Sequence, residues 1–546
     1  MAAMTAAFTL STLPADACTN LIAGKAATRD GSVICTYNCD GFGFAGALTH
    51  TPAMRHAPGE QRPIRPWGGT RVRGYINQVE YTYNVIGHIN EKQVSIVETT
   101  FDGRIELENP EGLLDYDTMI HLGLERASTA REAIRIMTDL VAEFGYNSTG
   151  ESLAVCDPEE AWIMEIIGKG PGRKGAVWVA LRVPDDCICA YANLSRIRQF
   201  PQARKVDKKL GFCVVESECM YSSDVISFAR EMGYFSGKDA DFSFREAYCP
   251  INFENVRYAD TRVWSFFRHH ADPAEMDAFL PYLNGEFDTS DHLPLWIRPK
   301  EKLSVRDVMA DMRDHYEGTA LDMTTDISAG PWGSPVRPLP MSWESGGKKY
   351  FRERAIATQQ TAFTLVSHLR SWLPDEVGGV MYFNCDDAGM IPYVPVYCCV
   401  NQVPDAFARA NNPSGEFNEQ GAFWMCNWVS NMVYPRYSVM IGDLEEARRE
   451  LEDAFAADQD AVAEAISGMS RQERIEYLTR KSAGYTSEMM ERWGRLARTL
   501  IVKYNDQRTT PFNPSYYEEI GRRTGDRYLL KGSEDVEAMN ALNENL

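Results

Sequence analysis

Between residues 150 and 195 four short apolar runs, 152–156, 161–167, 176–183 and 187–193, alternate with turns rich in Pro, Gly and Asp. Runs this short, joined by connections too brief for a crossover helix, pair antiparallel. The same grammar recurs upstream. Residues 19–24 are apolar, Arg29, Asp30, Gly31 and Ser32 supply turn chemistry, and 33–37 return. A second hairpin is expected from 81–88, turning through Asn90, Glu91 and Lys92 into 94–100, with its strands in the same early sheet as the first.

Helices interrupt the strands. Thr129 and Glu132 have capping-box spacing, followed by an apolar stripe of Ile134, Met137, Leu140, Val141 and Phe144 that Gly145 ends. Ser304 and Asp307 open another helix through Val305, Val308, Met309 and Met312. From about residue 436 the chain is mostly helical, with Leu444, Ala447, Leu451 and Phe455 on one stripe and Trp493, Leu496, Leu500 and Ile501 on another. With 546 residues the chain exceeds the ~250–300 at which a single core stops growing, so several layers are expected. No repeat or linker marks a cut, and residues 18–546 read as one large α+β domain.

The net charge of −21 repels phosphate backbones and anionic membranes, which argues against nucleic-acid partners. The uncharged run from Ala2 to Ala15 falls short of the ~20 residues that span a bilayer. It reads instead as a secretory apolar segment, with Ala15 and Ala17 forming the small-x-small pattern cut by signal peptidase just before Cys18. Residues 1–17 are thus expected to be a signal peptide or propeptide, and the mature protein to be exported. A lipid-modified Cys18 is the competing reading, which Leu13 and Asp16 suit poorly. The 13 cysteines form no C-x-x-C pair, and buried free thiols are expected rather than assigned disulfides.

Removal of residues 1–17 would leave one residue with both a thiol nucleophile and a free α-amine. Such an amine titrates at ~7.7–8.0 and a thiol at ~8.5, so the amine can take the thiol proton with no histidine. Other motifs fail: the run GKGPGRKG at 168–175 lacks the ending of a phosphate loop and reads as a turn, and no H-E-x-x-H occurs. His88 on a strand near a turn reads as structural.

The segment CTNLIAGKAATRDGSVICTYNCD at 18–40 resembles the start of the dipeptidase A family of cysteine-type N-terminal nucleophile (Ntn) hydrolases. VSIVETTFDGR at 94–104, NPEGLLDY at 109–116, YANLSRIRQF at 191–200, TRVWSFFR at 261–268 and RSWLPDEVGG at 370–379 extend the resemblance over nearly the whole chain. The resemblance implies a four-layer αββα Ntn-hydrolase fold and hydrolysis of small, unblocked dipeptides through a thioester on Cys18, with no metal or cofactor. It assigns Asp40 to orienting the Cys18 amine, Asn193 to the oxyanion and Arg257 to holding the catalytic network, with Arg262 hard to separate from Arg257. It leaves homo-oligomerisation open. Two departures stand out: Tyr37 occupies a place where related hydrolases carry Arg, and Thr99 and Thr100 stand where they carry an oxyanion Asn. The rival readings are an acylase of the bile-salt or penicillin type and a peptide-binding lipoprotein acylated on Cys18.

Overall fold

In the computed structural model, which describes residues 18–43, 45–66, 69–203, 211–287 and 292–515 together with 518 and 521, strands form two large antiparallel sheets. The cleavage pattern at 15–17 lies outside the described residues. The main strands are β1 (Asn20–Ala23), β2 (Val33–Asp40), β3 (Ser95–Asp102), β4 (Gly150–Cys156), β5 (Ala161–Gly168), β6 (Ala176–Arg182), β7 (Ile188–Tyr191), β8 (Thr361–Leu369), β9 (Gly379–Cys385) and β10 (Val394–Tyr397). One sheet has seven strands in the order Trp296–Ile297, β7, β1, β2, β8, β9, β10. The other has nine, running Phe212–Val215, Cys219–Ser222, β6, β5, β4, β3, then the short pieces Ile89–Asn90, Val85–Ile86 and His50–Thr51.

The sheets meet where β2 packs on β3 and β4. Every residue of β1, β2, β4 and β5 is buried, the polar Asn20, Asn38, Asp40, Glu151 and Glu165 included. Helices α1 (Tyr116–Arg126) and α2 (Ala130–Phe144) pack on the nine-stranded sheet. Against the seven-stranded sheet lie α3 (Thr261–His270), α4 (Val305–Asp311), α5 (Ala422–Val433), α6 (Tyr437–Ala465) and α7 (Arg471–Lys503). No helix among the described residues is long and apolar enough to cross a membrane.

Local signals place most of these elements. The Thr129 hydroxyl accepts from the Glu132 N–H at 3.2 Å, while the Glu132 carboxylate reaches Ser128 at 2.8 Å, so the box closes one residue early. At Ser304 the box is reciprocal. Gly145 ends α2 at φ +84°, a conformation that favours glycine. All 13 cysteines are buried free thiols.

Four expectations are corrected. The second hairpin does not share the sheet of the first: β3 pairs with β4 in the nine-stranded sheet, whereas β2 pairs with β8 from more than three hundred residues away. Its first arm is broken into pieces, because Gly87 turns at φ +54° and Asn84 leaves the ladder to bond Glu91 and the carbonyls of Cys398 and Val400. Asn193 lies past the end of β7 rather than within a strand. Trp493, Leu496 and Leu500 are buried as expected, but Ile501, one position past that stripe, is 50% exposed.

One ion pair on α1 fixes a pH dependence. Burial alone lowers the His121 pKa, but Asp117, one turn earlier at 3.4 Å, overrides it and holds it at about 9. The pair's contribution to stability is therefore complete below the unfolded histidine value of ~6.5 and fades as pH rises through about 9. His121→Gln should flatten the fall in Tm between pH 6.5 and 9.

Candidate active site

Cys18 stands just before β1, where Thr19 bridges to Asn38 of β2 and brings the start of the chain onto the middle of the seven-stranded sheet. The residue is 2% exposed. Its Sγ lies 3.7 Å from Tyr37 Oη and 3.8 Å from Glu98 Oε1, and the Tyr37 hydroxyl donates to that same Glu98 oxygen. Burial, with Cys39, Glu98 and Asp40 adding to it, pushes the thiol well above its ordinary value. The sulfur is therefore held protonated at neutral pH and needs a base to become a nucleophile.

Asp40 closes β2, at a register shift against β8 between Cys39 and Asp40. It is completely buried, accepts from Arg354 at 2.6 Å and from the Thr361 hydroxyl at 2.5 Å, and belongs with Cys18 in one cluster of charges. Burial raises its pKa to about 7, against the pull of Arg354 and Thr361.

The two arginines left together by the sequence are separated by the structure. Arg262, on α3 and fully buried, donates to the Cys18 carbonyl at 2.8 Å, the Thr19 hydroxyl at 2.6 Å, the Asn193 Oδ1 at 2.7 Å and the Tyr258 carbonyl at 2.7 Å. Burial, then the charge of Arg354, lowers its pKa to about 9. Arg257 sits one turn earlier, on the π-helical segment Val256–Asp260, and its guanidinium is spent on Glu353 at 2.7 Å and Asn284 at 2.8 Å. Glu353 is the chain neighbour of Arg354, so the Arg257 side chain stands one step back from Cys18.

Asn193 donates its amide to the Thr100 carbonyl at 2.7 Å while its oxygen accepts from Arg262, so it bridges β3 of the nine-stranded sheet to the arginine that holds Cys18. An amide carries two N–H donors, and one of them is spent on Thr100. The two threonines where related hydrolases carry Asn have engaged hydroxyls: Thr99 bonds Asn20 at 2.6 Å and Thr100 bonds Glu151 at 2.9 Å. His88 lies edge-on to Tyr37 with ring centres 5.1 Å apart and bonds the Ile96 carbonyl, and burial lowers its pKa to about 4, so at neutral pH it is an uncharged packing residue.

The structure thus gathers Cys18, Asp40 and Asn193, places Arg262 rather than Arg257 at Cys18, and adds Tyr37, Glu98, Thr361 and Arg354. Among the described residues the guanidiniums at the site are those of Arg262, on the Cys18 carbonyl, and Arg354, on Asp40, and neither is hydrogen-bonded to Tyr37. Its phenol turns to Glu98 instead.

A sequence model described as peptidase family C69 matches residues 67–450, more than half of the chain. Asn193, Arg257 and Arg262 fall inside that stretch and Cys18 and Asp40 before it. A protein from Salmonella dublin named as a probable dipeptidase is 26% identical over 399 residues, 70% of this chain and 81% of its own. A probable dipeptidase from Latilactobacillus sakei is 25% identical over 77% of this chain and 82% of its own, and the dipeptidase A of Lactobacillus helveticus is 24% identical over 66% and 67%.

Proposed function

The chain belongs to peptidase family C69, and from that premise we propose that it is a cysteine-type dipeptidase working by an Ntn-hydrolase mechanism on Cys18. What carries the reading is a buried thiol whose own backbone carbonyl is gripped by Arg262, beside a buried Asp40, in a chain whose relatives bear dipeptidase names. Two facing antiparallel sheets with helices on their outer sides support the αββα layering of that class.

Loss of residues 1–17, which we read as an export signal, frees the Cys18 amine. That amine takes the Sγ proton, and the thiolate adds to the carbonyl of the dipeptide's single peptide bond. The oxyanion is held by donors that include the Asn193 amide, and a donor of this kind is worth ~10²–10³ in rate. The C–N bond then breaks as the ammonium of Cys18 returns its proton to the leaving amine. Water, deprotonated by the same amine, adds to the thioester, and the C–S bond breaks to release the first amino acid and restore the thiol. Asp40 acts as a positioning residue for the amine, and Arg354 sets its charge.

The test is a panel that sets unblocked dipeptides beside bile-salt-like and penicillin-like amides. Cleavage confined to the dipeptides is expected. Preferential cleavage of the amides would move the chain to the acylase reading, and loss of neither activity in Cys18→Ala would remove the thiol from the chemistry.

Asp40 also yields a pH prediction. It ionises at about 7, and the charged form is the one that orients the amine, so activity falls as pH drops through that value. Because Arg354 lowers the Asp40 pKa, Arg354→Met should move that limb of the kcat/KM profile to higher pH. An unmoved limb would detach Asp40 from the amine.

A further inference from the structure

Cys39 is a second thiol beside the nucleophile, and the proposed reaction gives it nothing to do. Thr19 and Asn38 exchange both of their backbone hydrogen bonds, Thr19 N–H to the Asn38 carbonyl at 3.3 Å and Asn38 N–H to the Thr19 carbonyl at 2.9 Å. Further along, Ile22 pairs with Cys35 and Ala23 with Ile34 in the same antiparallel register. Continued one residue toward the start of the chain, that register sets Cys18 directly opposite Cys39. Pairs next to a hydrogen-bonded pair are of the non-hydrogen-bonded kind, with Cα atoms ~4.5 Å apart and side chains close together on one face.

The side chains agree with the backbone. Tyr37, two residues from Cys39 and so on the same face of β2, brings its hydroxyl to 3.7 Å from Cys18 Sγ. After burial, a hydrogen bond with Cys39 is the largest of the causes that raise the Cys18 thiol. Both thiols are buried and free. Cys35, next on that face, stands opposite Ile22 and is hydrogen-bonded with Cys156 of the facing sheet, so it is engaged elsewhere.

A disulfide needs Cα atoms ~4.4–6.8 Å apart with Cβ atoms turned to one another, and a directly opposed pair of this kind meets both conditions without moving the backbone. We propose that Cys18 and Cys39 form a reversible disulfide under hydrogen peroxide, a modification that switches hydrolysis off and spares the nucleophile from irreversible oxidation. The inference rests on Cys18 as nucleophile. The amine that frees the thiolate for a dipeptide frees it equally for peroxide. The Cys18 sulfur adds to one peroxide oxygen, the O–O bond breaks and hydroxide leaves, giving a sulfenic acid. The Cys39 sulfur then attacks Cys18 Sγ, the S–O bond breaks, and the departing hydroxide takes the Cys39 proton to become water. Each sulfur has given up one electron, and the peroxide has taken up both. A small thiol reverses the step by exchange and leaves as its own disulfide. With no thiol opposite it, the sulfenic acid goes on to sulfinic acid, which small thiols do not reduce.

The experiment treats the chain that begins at Cys18, as wild type and as Cys39→Ser, with hydrogen peroxide, removes the peroxide, and splits each sample with and without dithiothreitol. Dipeptide hydrolysis is scored against the same protein before treatment, and a non-reducing peptide map is taken in parallel. Trypsin cuts after Lys25 and Arg29, which parts Cys18 from Cys39. Wild type is expected to lose hydrolysis, to carry the 18–39 link while inactive, and to regain its rate with dithiothreitol. Cys39→Ser is expected to lose hydrolysis without recovery, with Cys18 as sulfinic acid. Wild type inactivated without that link, wild type left active by peroxide, or recovery in Cys39→Ser equal to that of wild type overturns the proposal. Should Cys39→Ser not fold, wild type decides through fragment masses that tell Cys39 from Cys35 in the linked peptide, and a link to Cys35 overturns it. Hydrolysis retained in Cys18→Ala would end the nucleophile reading and the switch together, whereas a missing link in a protein that needs Cys18 ends the switch alone.

Discussion

A chain that begins at Cys18 should hydrolyse dipeptides, and the same chain carrying an uncleavable 1–17 segment should do so ~10²–10⁴ times more slowly, the span that a positioned base supplies. The argument is electrostatic. Burial and the neighbouring carboxyls hold the Cys18 thiol protonated. Sγ has Tyr37 and Glu98 beside it, a phenol that is itself held neutral and a carboxyl committed to that phenol and to Glu151. His88, whose ring packs on Tyr37, is turned to a backbone carbonyl. The α-amine is then the remaining group of suitable basicity on the nucleophile's own residue, and a peptide bond to Ala17 converts it into an amide with no basicity. Rates measured for the two chains, with alkylation of Cys18 followed by intact mass, check the point. Equal rates would require a base elsewhere and would end the Ntn mechanism for this chain.

What the sequence discloses follows the range of the interactions. The first hairpin and the capped helices are legible because their turns and caps are spelled within a few residues: Asp30 to Ser32, Thr129, Ser304. The allocation of strands to sheets is not, since β2 chooses β8 and β3 chooses β4 by packing across the whole chain. The site divides in the same way. Cys18, Asp40 and Asn193 are reached through the resemblance, and Cys18 also through its place after the cleavage pattern. Arg354 is 314 residues from the carboxylate it serves, and no local pattern announces it. Glu98 does leave a trace, a carboxylate in the middle of a strand whose one other charged residue is the terminal Asp102, and such a group is costly to bury unless it is paired or used.

Arg262 rather than Arg257 is expected to govern turnover. Arg262 makes four hydrogen bonds, to Cys18, Thr19, Asn193 and Tyr258, and so fixes the backbone of Cys18 and the rotamer of the Asn193 amide together. Its planar fork is what lets one side chain hold acceptors in several directions, and a lysine ammonium cannot reproduce it. Arg262→Lys should therefore keep a buried positive charge while loosening Cys18 and Asn193, and a displacement of ~1 Å at a reacting atom costs ~10²-fold in kcat. Arg262→Met goes further. It leaves buried oxygens without their donor, at ~1–3 kcal/mol each, so a lower Tm accompanies the lost activity. Arg257→Lys breaks a bidentate grip on Glu353 without touching Cys18, and its kcat should stay within ~10-fold of wild type, short of the cost of a misplaced reacting atom. Steady-state kcat beside thermal melting for the three variants separates the roles: a drop in kcat in Arg262→Lys without a matching drop in Tm marks a positioning residue, whereas a larger loss in Arg257→Lys would return the network to the residue first chosen from the sequence.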